Sequence, residues 1–153
     1  MEIEDLITPA RVMPRLKATS KKHVLQELAK RAADLTGLHE RAIFDVLLER
    51  ERLGTTGVGN GIAIPHGKLP EIKELFGLFA RLDEPVDFDA IDEQPVDLVF
   101  LLLAPEGAGA DHLKALARIA RLLRDQDVAK KLRASRDAQA IYSVLALPPA
   151  SAA

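Results

Sequence analysis

The chain has 153 residues, 48% of them hydrophobic, which is enough apolar material for one sizeable core and leaves no room for a second full domain. The 21 Lys and Arg against 23 Asp and Glu give a formal net charge of −2, which predicts no overall attraction to nucleic acid or anionic lipid. The absence of cysteine excludes disulfides, thiolate nucleophiles and zinc or iron–sulfur sites built on cysteine.

Residues 20–53 carry the pattern of two amphipathic helices joined by a short turn. In residues 20–36, apolar residues recur at helical spacing, Ser20 is available as the N-cap, and a glycine follows. Residues 39–53 repeat this pattern, again with a glycine after the end. The sequence therefore predicts a helical hairpin.

A glycine-rich segment, residues 54–67, follows the hairpin and encloses a short β-like run at residues 62–64. So many glycines predict backbone conformations or close approaches that a side chain would not allow. Residues 75–82 and 97–104 have strand patterns, and the second is so apolar that we expect it to be central and covered on both faces. The acidic segment between them, residues 83–94, is expected to be a solvated loop or a surface for a basic partner.

Helical patterns fill the last part of the chain. Asp111 is expected to cap a helix, and shorter helices are predicted at residues 126–133 and 137–147. Two prolines then end the fold, and residues 148–153 are expected to be a disordered tail. The sequence predicts a single α/β domain at residues 1–147, in which helices pack on the faces of a sheet.

Neither glycine motif matches a nucleotide-binding loop. GVGNG at residues 57–61 lacks the G-x-G-x-x-G spacing and precedes a β-like run instead of following a strand. GIAIPHGKL at residues 61–69 has five residues between its glycines where a P-loop has four, and Leu69 occupies the position of the magnesium-binding Ser or Thr. Nucleotide hydrolysis therefore loses its main support.

His66 lies between Pro65 and Gly67, which makes it a candidate nucleophile. Proline favours an extended residue before it, so the chain reaches the imidazole along a stiff approach. Because Gly67 has no Cβ, we expect another surface or a tetrahedral anion to come close to the ring. The alternative is a turn residue whose ring is merely hydrogen-bonded.

The other histidines differ in position. His23, on the polar side of the first helix, is expected to be a solvated surface residue, and His39, at the start of the second, is expected to be a weak helix cap or a surface residue. His112 lies in the first turn of the helix that follows the apolar strand, where ligand sites of α/β sheets gather. A helix N-terminus attracts anions, so His112 is a candidate phosphate partner, with a partly buried packing histidine as the alternative. No pair of these histidines has zinc-site spacing, and we expect no metal and no cofactor.

Three stretches resemble a known family: GTTGVGNGIAIPHGKL at residues 54–69, FDAIDEQPVDLVFLLLAP at residues 88–105, and a helix that begins DHL at Asp111. They are similar to the enzyme IIA domain of the bacterial phosphotransferase system, fructose/mannitol type, and above all to its stand-alone nitrogen-regulatory branch. The resemblance implies a mixed β-sheet flanked by helices. It also implies that a small HPr-like carrier phosphorylates His66 on Nε2.

The resemblance implies roles for two further residues. The family's counterpart of His112 lies beside the phosphorylated histidine, and Arg50 falls on the arginine of the family's R-E-x-x-G run, which helps to hold the phosphoryl group. The acceptor nitrogen must be unprotonated to attack, so we expect the Nδ1–H of His66 to be held by a carbonyl or another acceptor.

The leading hypothesis is therefore a cytoplasmic phosphohistidine carrier of the nitrogen-related relay. It would accept a phosphoryl group from an HPr-like protein and regulate downstream target proteins, with no nucleic-acid partner and no membrane insertion. One alternative is a sugar-uptake enzyme IIA that passes the phosphoryl group to a fructose- or mannitol-type permease domain. Another is a non-catalytic module whose glycine-rich loop only recognises a partner.

Overall fold

A computed structural model describes residues 2–146, so the predicted tail at residues 148–153 and the predicted helix end at Leu147 lie outside the described residues. Within this range two 3₁₀ turns, Ile3–Asp5 and Pro9–Arg11, precede six strands and five helices. In chain order these are β1 (Val12–Leu16), α1 (Lys21–Thr36), α2 (Glu40–Arg52), β2 (Gly57–Gly59), β3 (Ile62–Ala63), β4 (His66–Leu69), β5 (Phe76–Val86), β6 (Val96–Pro105), α3 (Ala110–Arg124), α4 (Gln126–Ala134) and α5 (Ala138–Ala146).

The strands form one mixed sheet in the order β1-β5-β6-β3-β2, and β4 also pairs with β6. β5 and β6 are antiparallel, whereas β3 and β4 both run parallel to β6, with Ile62 opposite Leu98 and His66 opposite Leu102. β3 and β4 thus pair with β6 one after the other, like a single strand that is interrupted at Pro65. The carbonyl of Pro65 accepts the N–H of Leu102 at 3.0 Å. The predicted α/β architecture is confirmed.

β6 is the central strand that its composition predicted, and its side chains alternate between two hydrophobic cores. Leu101 and Leu103 contribute to a core with the buried side chains of α1 and α2. Phe100 and Leu102 contribute to a second core with α3, α4 and α5 on the other face. All four side chains are fully buried, so this one strand joins the two layers of helices.

The predicted helical hairpin is confirmed at both ends of its first helix. The Ser20 hydroxyl accepts the N–H of His23 at 3.1 Å, and Gly37 closes α1 in the left-handed conformation with φ 78°. His39 stands at the N-cap of α2, but within residues 2–146 its side chain makes no capping hydrogen bond. α2 therefore begins without the side-chain cap that α1 has.

Three sequence expectations about element boundaries were wrong. β5 continues through Pro85 to Val86, so the loop begins at Asp87, four residues later than Asp83. In the part of the chain that the structure describes, β1 pairs with β5 only as far as Leu82. One side of β5 is a free edge beyond that point, so a proline is tolerated there. Asp111 lies inside the first turn of α3, since Gly109 with φ 52° occupies the N-cap.

The third expectation concerned His66, which the sequence placed in or beside a glycine loop. The structure instead shows His66 as the first residue of the strand β4. The edge strands β1 and β2 were not predicted from the sequence either. These three strands have three to five residues each, too few to display a period.

Candidate functional site

His66 is oriented by a backbone carbonyl two residues earlier in the chain. Its Nδ1 lies 2.8 Å from the carbonyl oxygen of Ile64, at the break between β3 and β4. A carbonyl only accepts hydrogen bonds, so Nδ1 carries the proton and donates it, and Nε2 keeps a lone pair. This is the kind of acceptor that the sequence led us to expect.

Arg50 reaches the other ring nitrogen from the last turn of α2. Its Nε donates to Nε2 of His66 at 3.2 Å, and its Nη1 donates to the carbonyl oxygen of Gly54 at 2.8 Å. Guanidinium nitrogens only donate, so this contact requires the same tautomer as the Ile64 contact does. The two hydrogen bonds together leave Nε2 as a nucleophilic nitrogen beside a fixed positive charge.

His112 lies next to His66, as the resemblance implied. It belongs to the first turn of α3 and is 7% exposed, and its ring meets the His66 ring edge to face with centroids 5.5 Å apart. Among the described residues, its buried Nε2 has no hydrogen-bond partner. Buried polar atoms are seldom left unpaired, so this nitrogen is available to a group that enters the site.

Both histidine rings are held in the neutral form. Burial is the main cause that lowers the pKa of His66 below its ordinary value of 6.5; Arg50 lowers it further, while the Ile64 carbonyl and Glu51 oppose the shift. The pKa of His112 is also lowered, first by burial and then by its electrostatic interactions with His66 and Lys68. Neutral imidazoles at physiological pH can act as a nucleophile and as a hydrogen-bond donor.

Gly67 shapes the site in a way that the sequence did not predict. A Cβ on this residue would collide with Cγ1 of Val46 in α2, so the missing side chain lets β4 pack closely against that helix. The close approach that Gly67 was expected to allow is thus made by α2 of the same chain. Its close packing against α2 brings the end of that helix, with Arg50, alongside the strand that carries His66.

Glu51 is a site residue that the sequence reasoning missed. It is 7% exposed and its carboxylate accepts the backbone N–H of Thr56 at 2.8 Å and the Thr56 hydroxyl. The Nζ of Lys21 lies 3.0 Å from the same carboxylate. A signal was present, because Glu51 continues the four-residue spacing of the buried Ile43 and Leu47 along α2.

The remaining two histidines have local roles. His39 is exposed, as predicted. His23 is half-buried, and its Nδ1 accepts the N–H of Thr19 at 3.3 Å, so it contributes to the start of α1 more than a solvated residue would. Within residues 2–146, no three His, Cys, Asp or Glu side chains are grouped so that they could hold a metal ion. None of the helices in this range has both the length and the apolar character to cross a bilayer.

Comparison with known proteins agrees with the resemblance. Residues 5–147 match the family model described as "Phosphoenolpyruvate-dependent sugar phosphotransferase system, EIIA 2". A nitrogen regulatory protein of Bradyrhizobium diazoefficiens is 75% identical over 153 residues, which are 100% of both chains. A nitrogen regulatory protein of Pseudomonas aeruginosa is 42% identical over 146 residues, which are 95% of each chain.

The same relationship holds in three dimensions. The crystal structure of the nitrogen regulatory protein IIA-Ntr from Neisseria meningitidis superposes with a TM-score of 0.88 at 34% sequence identity, and the match covers 94% of this chain and 98% of that one. The mixed sheet flanked by helices is thus the fold of these relatives. The chain belongs to the EIIA 2 family of the phosphoenolpyruvate-dependent sugar phosphotransferase system and is a component of its phosphotransfer relay.

Proposed function

We propose that His66 accepts a phosphoryl group on Nε2 and that the chain is a phosphohistidine carrier of the nitrogen-related phosphotransferase system. The observation that carries this proposal is the pair of hydrogen bonds on His66. Ile64 takes the proton of Nδ1, and Arg50 meets the lone pair of Nε2. The nucleophilic Nε2 and the positive guanidinium beside it are therefore both in place before any phosphoryl group arrives.

The transfer would proceed in line between two imidazoles. The bond between phosphorus and the donor nitrogen breaks, and the donor ring keeps the electron pair, while Nε2 of His66 forms the new bond. Arg50 must release Nε2 during this step, and its guanidinium is then placed to bind the phosphoryl oxygens. A neutral His112 could donate to another of these oxygens, which would satisfy a buried ring nitrogen that has no partner among the described residues.

The proposed donor is a small HPr-like carrier that presents a phosphohistidine, and the proposed recipients of the signal are downstream target proteins in the cytoplasm. The relatives named nitrogen regulatory proteins support this branch of the family over a role in sugar uptake. The family description, which names a sugar phosphotransferase system, keeps the second candidate: transfer from His66 to a fructose- or mannitol-type permease domain. Phosphoryl transfer to such a domain in a reconstituted reaction distinguishes the two.

The direct test is phosphorylation by a reconstituted relay. The chain is incubated with phosphoenolpyruvate and the upstream carriers, and intact-mass and phosphorus NMR spectra are recorded. We expect one acid-labile phosphoryl group per chain. His66→Ala should abolish the adduct because the acceptor nitrogen is lost, and full phosphorylation of that variant would refute the proposal.

Two further histidine variants complete this experiment. His39→Ala is the matched control, since His39 is exposed at the start of α2, and it should be phosphorylated at the wild-type rate. His112→Ala keeps the acceptor and should still form the adduct, but more slowly, because one donor to the phosphoryl oxygens is missing. Unchanged kinetics in His112→Ala would make His112 a packing residue only.

A further inference from the structure

Glu51 is a charged side chain in an almost fully buried position directly after Arg50. Its carboxyl side chain is 3% exposed, and its partners are the N–H and hydroxyl of Thr56 and the Nζ of Lys21. Burying a carboxylate is costly unless it is paired and hydrogen-bonded, and these partners meet that requirement. They do not explain why a carboxylate occupies this position beside the phosphoryl-acceptor candidate.

A chain of hydrogen bonds connects this carboxylate to the His66 ring. Oε1 of Glu51 accepts the N–H of Thr56 at 2.8 Å, and the carbonyl of Thr56 accepts the N–H of Ile64 at 3.0 Å. The carbonyl of Ile64 then accepts Nδ1–H of His66 at 2.8 Å. Ile64, whose carbonyl selects the His66 tautomer, is therefore linked to Glu51 through the backbone of Thr56.

We propose that Glu51 is a positioning residue for His66: through Thr56 and Ile64 it keeps the proton on Nδ1, and its negative charge stabilises the ring cation that forms when Nε2 attacks phosphorus. The second part follows from the chemistry of the attack. When Nε2 shares its electron pair with phosphorus while Nδ1 keeps its proton, the imidazole becomes positively charged. The use of Glu51 in phosphoryl transfer rests on the proposed function, whereas its effect on the tautomer does not.

Among the charged groups around His66, Glu51 is the one that favours this cation, and it acts in the same direction as the Ile64 carbonyl. Arg50 from α2 approaches Nε2, His112 from α3 lies against the ring, and Lys68 follows two residues later in β4. Arg50 lowers the pKa of His66, and Glu51 raises it. Glu51 thus offsets part of the repulsion that the guanidinium imposes on a positively charged ring.

The test compares Glu51→Gln with Glu49→Gln. Glutamine keeps the size of Glu51 and one acceptor oxygen for Thr56, but it removes the charge. Glu49 lies in the same helix, its side chain is 70% exposed, and within residues 2–146 it pairs only with Arg52 at 3.5 Å, so Glu49→Gln is the matched control. The readouts are the ¹⁵N chemical shifts and the pH titration of the His66 ring in the unphosphorylated protein, together with the phosphorylation rate.

In Glu51→Gln we expect a lower His66 pKa than in the wild type, a measurable fraction of the Nε2–H tautomer, and phosphorylation slower by roughly tenfold or more, because misplacing a reacting group is costly. Glu49→Gln should match the wild type in all three. A folded Glu51→Gln with the wild-type pKa and tautomer would overturn the proposal.

Glu51→Asp gives a second route if Glu51→Gln does not fold. This variant keeps the negative charge but shortens the side chain by one methylene, which weakens the hydrogen bond to the N–H of Thr56, so it should shift the tautomer in the same direction without lowering the pKa as far. A wild-type tautomer in Glu51→Asp would contradict the proposal. Failure of the wild-type protein to become phosphorylated would instead refute the proposed function and leave the ring measurements valid.

Discussion

At the scale of single residues, the two nitrogens of His66 have different tasks, and different parts of the chain set them. Ile64, two residues away, binds the Nδ1 proton, and Arg50, sixteen residues earlier, meets the Nε2 lone pair. Neither partner alone determines the chemistry of the ring. Their combination yields a neutral imidazole whose free lone pair faces a cation.

The lowered pKa of His66 predicts the acid limit of phosphoryl acceptance. A ring whose pKa lies below 6.5 stays neutral until the pH falls through that lowered value, so the rate should be half-maximal at a pH below 6.5. Initial rates of phosphorylation measured from about pH 5 to pH 8 check this, since that range spans ordinary histidine titration.

Arg50→Gln tests the direction in which Arg50 shifts the pH of half-maximal phosphorylation. Removing the guanidinium removes a contribution that lowers the His66 pKa, so the half-maximal rate should move to higher pH, although the maximal rate falls. A half-point above 6.5 in the wild type, or a downward shift in Arg50→Gln, would contradict this account of the ring.

At the scale of elements, the site depends on how α2 lies against β4. The β3–β4 interruption at Pro65 brings the Ile64 carbonyl to the His66 ring, and the close contact of Gly67 with Val46 sets how near α2 approaches. Arg50 is one helical turn beyond Val46, so the same contact also determines where the guanidinium lies.

Gly67→Ala should therefore destabilise the protein and impair the site together. The added methyl overlaps Val46, and overpacking of this kind costs about 1–3 kcal/mol of the free energy of unfolding. Denaturant unfolding and the phosphorylation rate measure the two effects. Gly107→Ala is the control, because no described atom lies within 4 Å of a Cβ placed there.

A second substitution identifies the cause of the loss. Val46→Ala removes the colliding methyl, so Gly67→Ala should cost less in that background than in the wild type. Equal cost in both backgrounds would mean that the contact with Val46 is not what requires glycine at this position.

At the scale of the whole molecule, β6 joins the two cores. Leu101 faces the core of α1 and α2, and Leu102 faces the core of α3 to α5. Arg50 and Glu51 come from the first layer and His112 comes from the second, so the candidate site spans both. The two layers must therefore fold onto the same sheet before the site exists.

This arrangement predicts one cooperative transition. Leu101→Ala and Leu102→Ala should each lower the free energy of unfolding by about 2–5 kcal/mol, because each removes a fully buried side chain, and each should leave a single transition. Leu113 is 69% exposed, so Leu113→Ala should change the free energy of unfolding by less than about 0.5 kcal/mol. Separate transitions for the helical hairpin and for α3 to α5 would show that the layers fold independently.

Sequence reasoning succeeded where a pattern is long enough to show its period. The spacing of α1, the apolar run of β6 and the glycine after α1 identified these elements because their determinants lie within one segment. It failed for the strands β1, β2 and β4, which are too short to show a period. It also failed for the N-cap of α3, which is Gly109 and not Asp111, and for the end of β5, which continues through Pro85, because neighbouring segments decide both boundaries. Short strands exist only through their partners in the sheet.

The sequence by itself determined that the chemistry uses no cysteine, that His66 follows a stiff proline approach, and that Arg50 and His112 resemble the site residues of a known family. Only the tertiary structure decided which carbonyl holds the Nδ1–H of His66, which surface packs against Gly67, and that Glu51 is linked to the site through Thr56 and Ile64. All of these features depend on contacts within the glycine-rich segment, residues 54–67, and between that segment and α2. Hydrogen bonds, close packing and burial between distant segments have no counterpart in residue spacing, because they depend on where the folded chain brings those segments together.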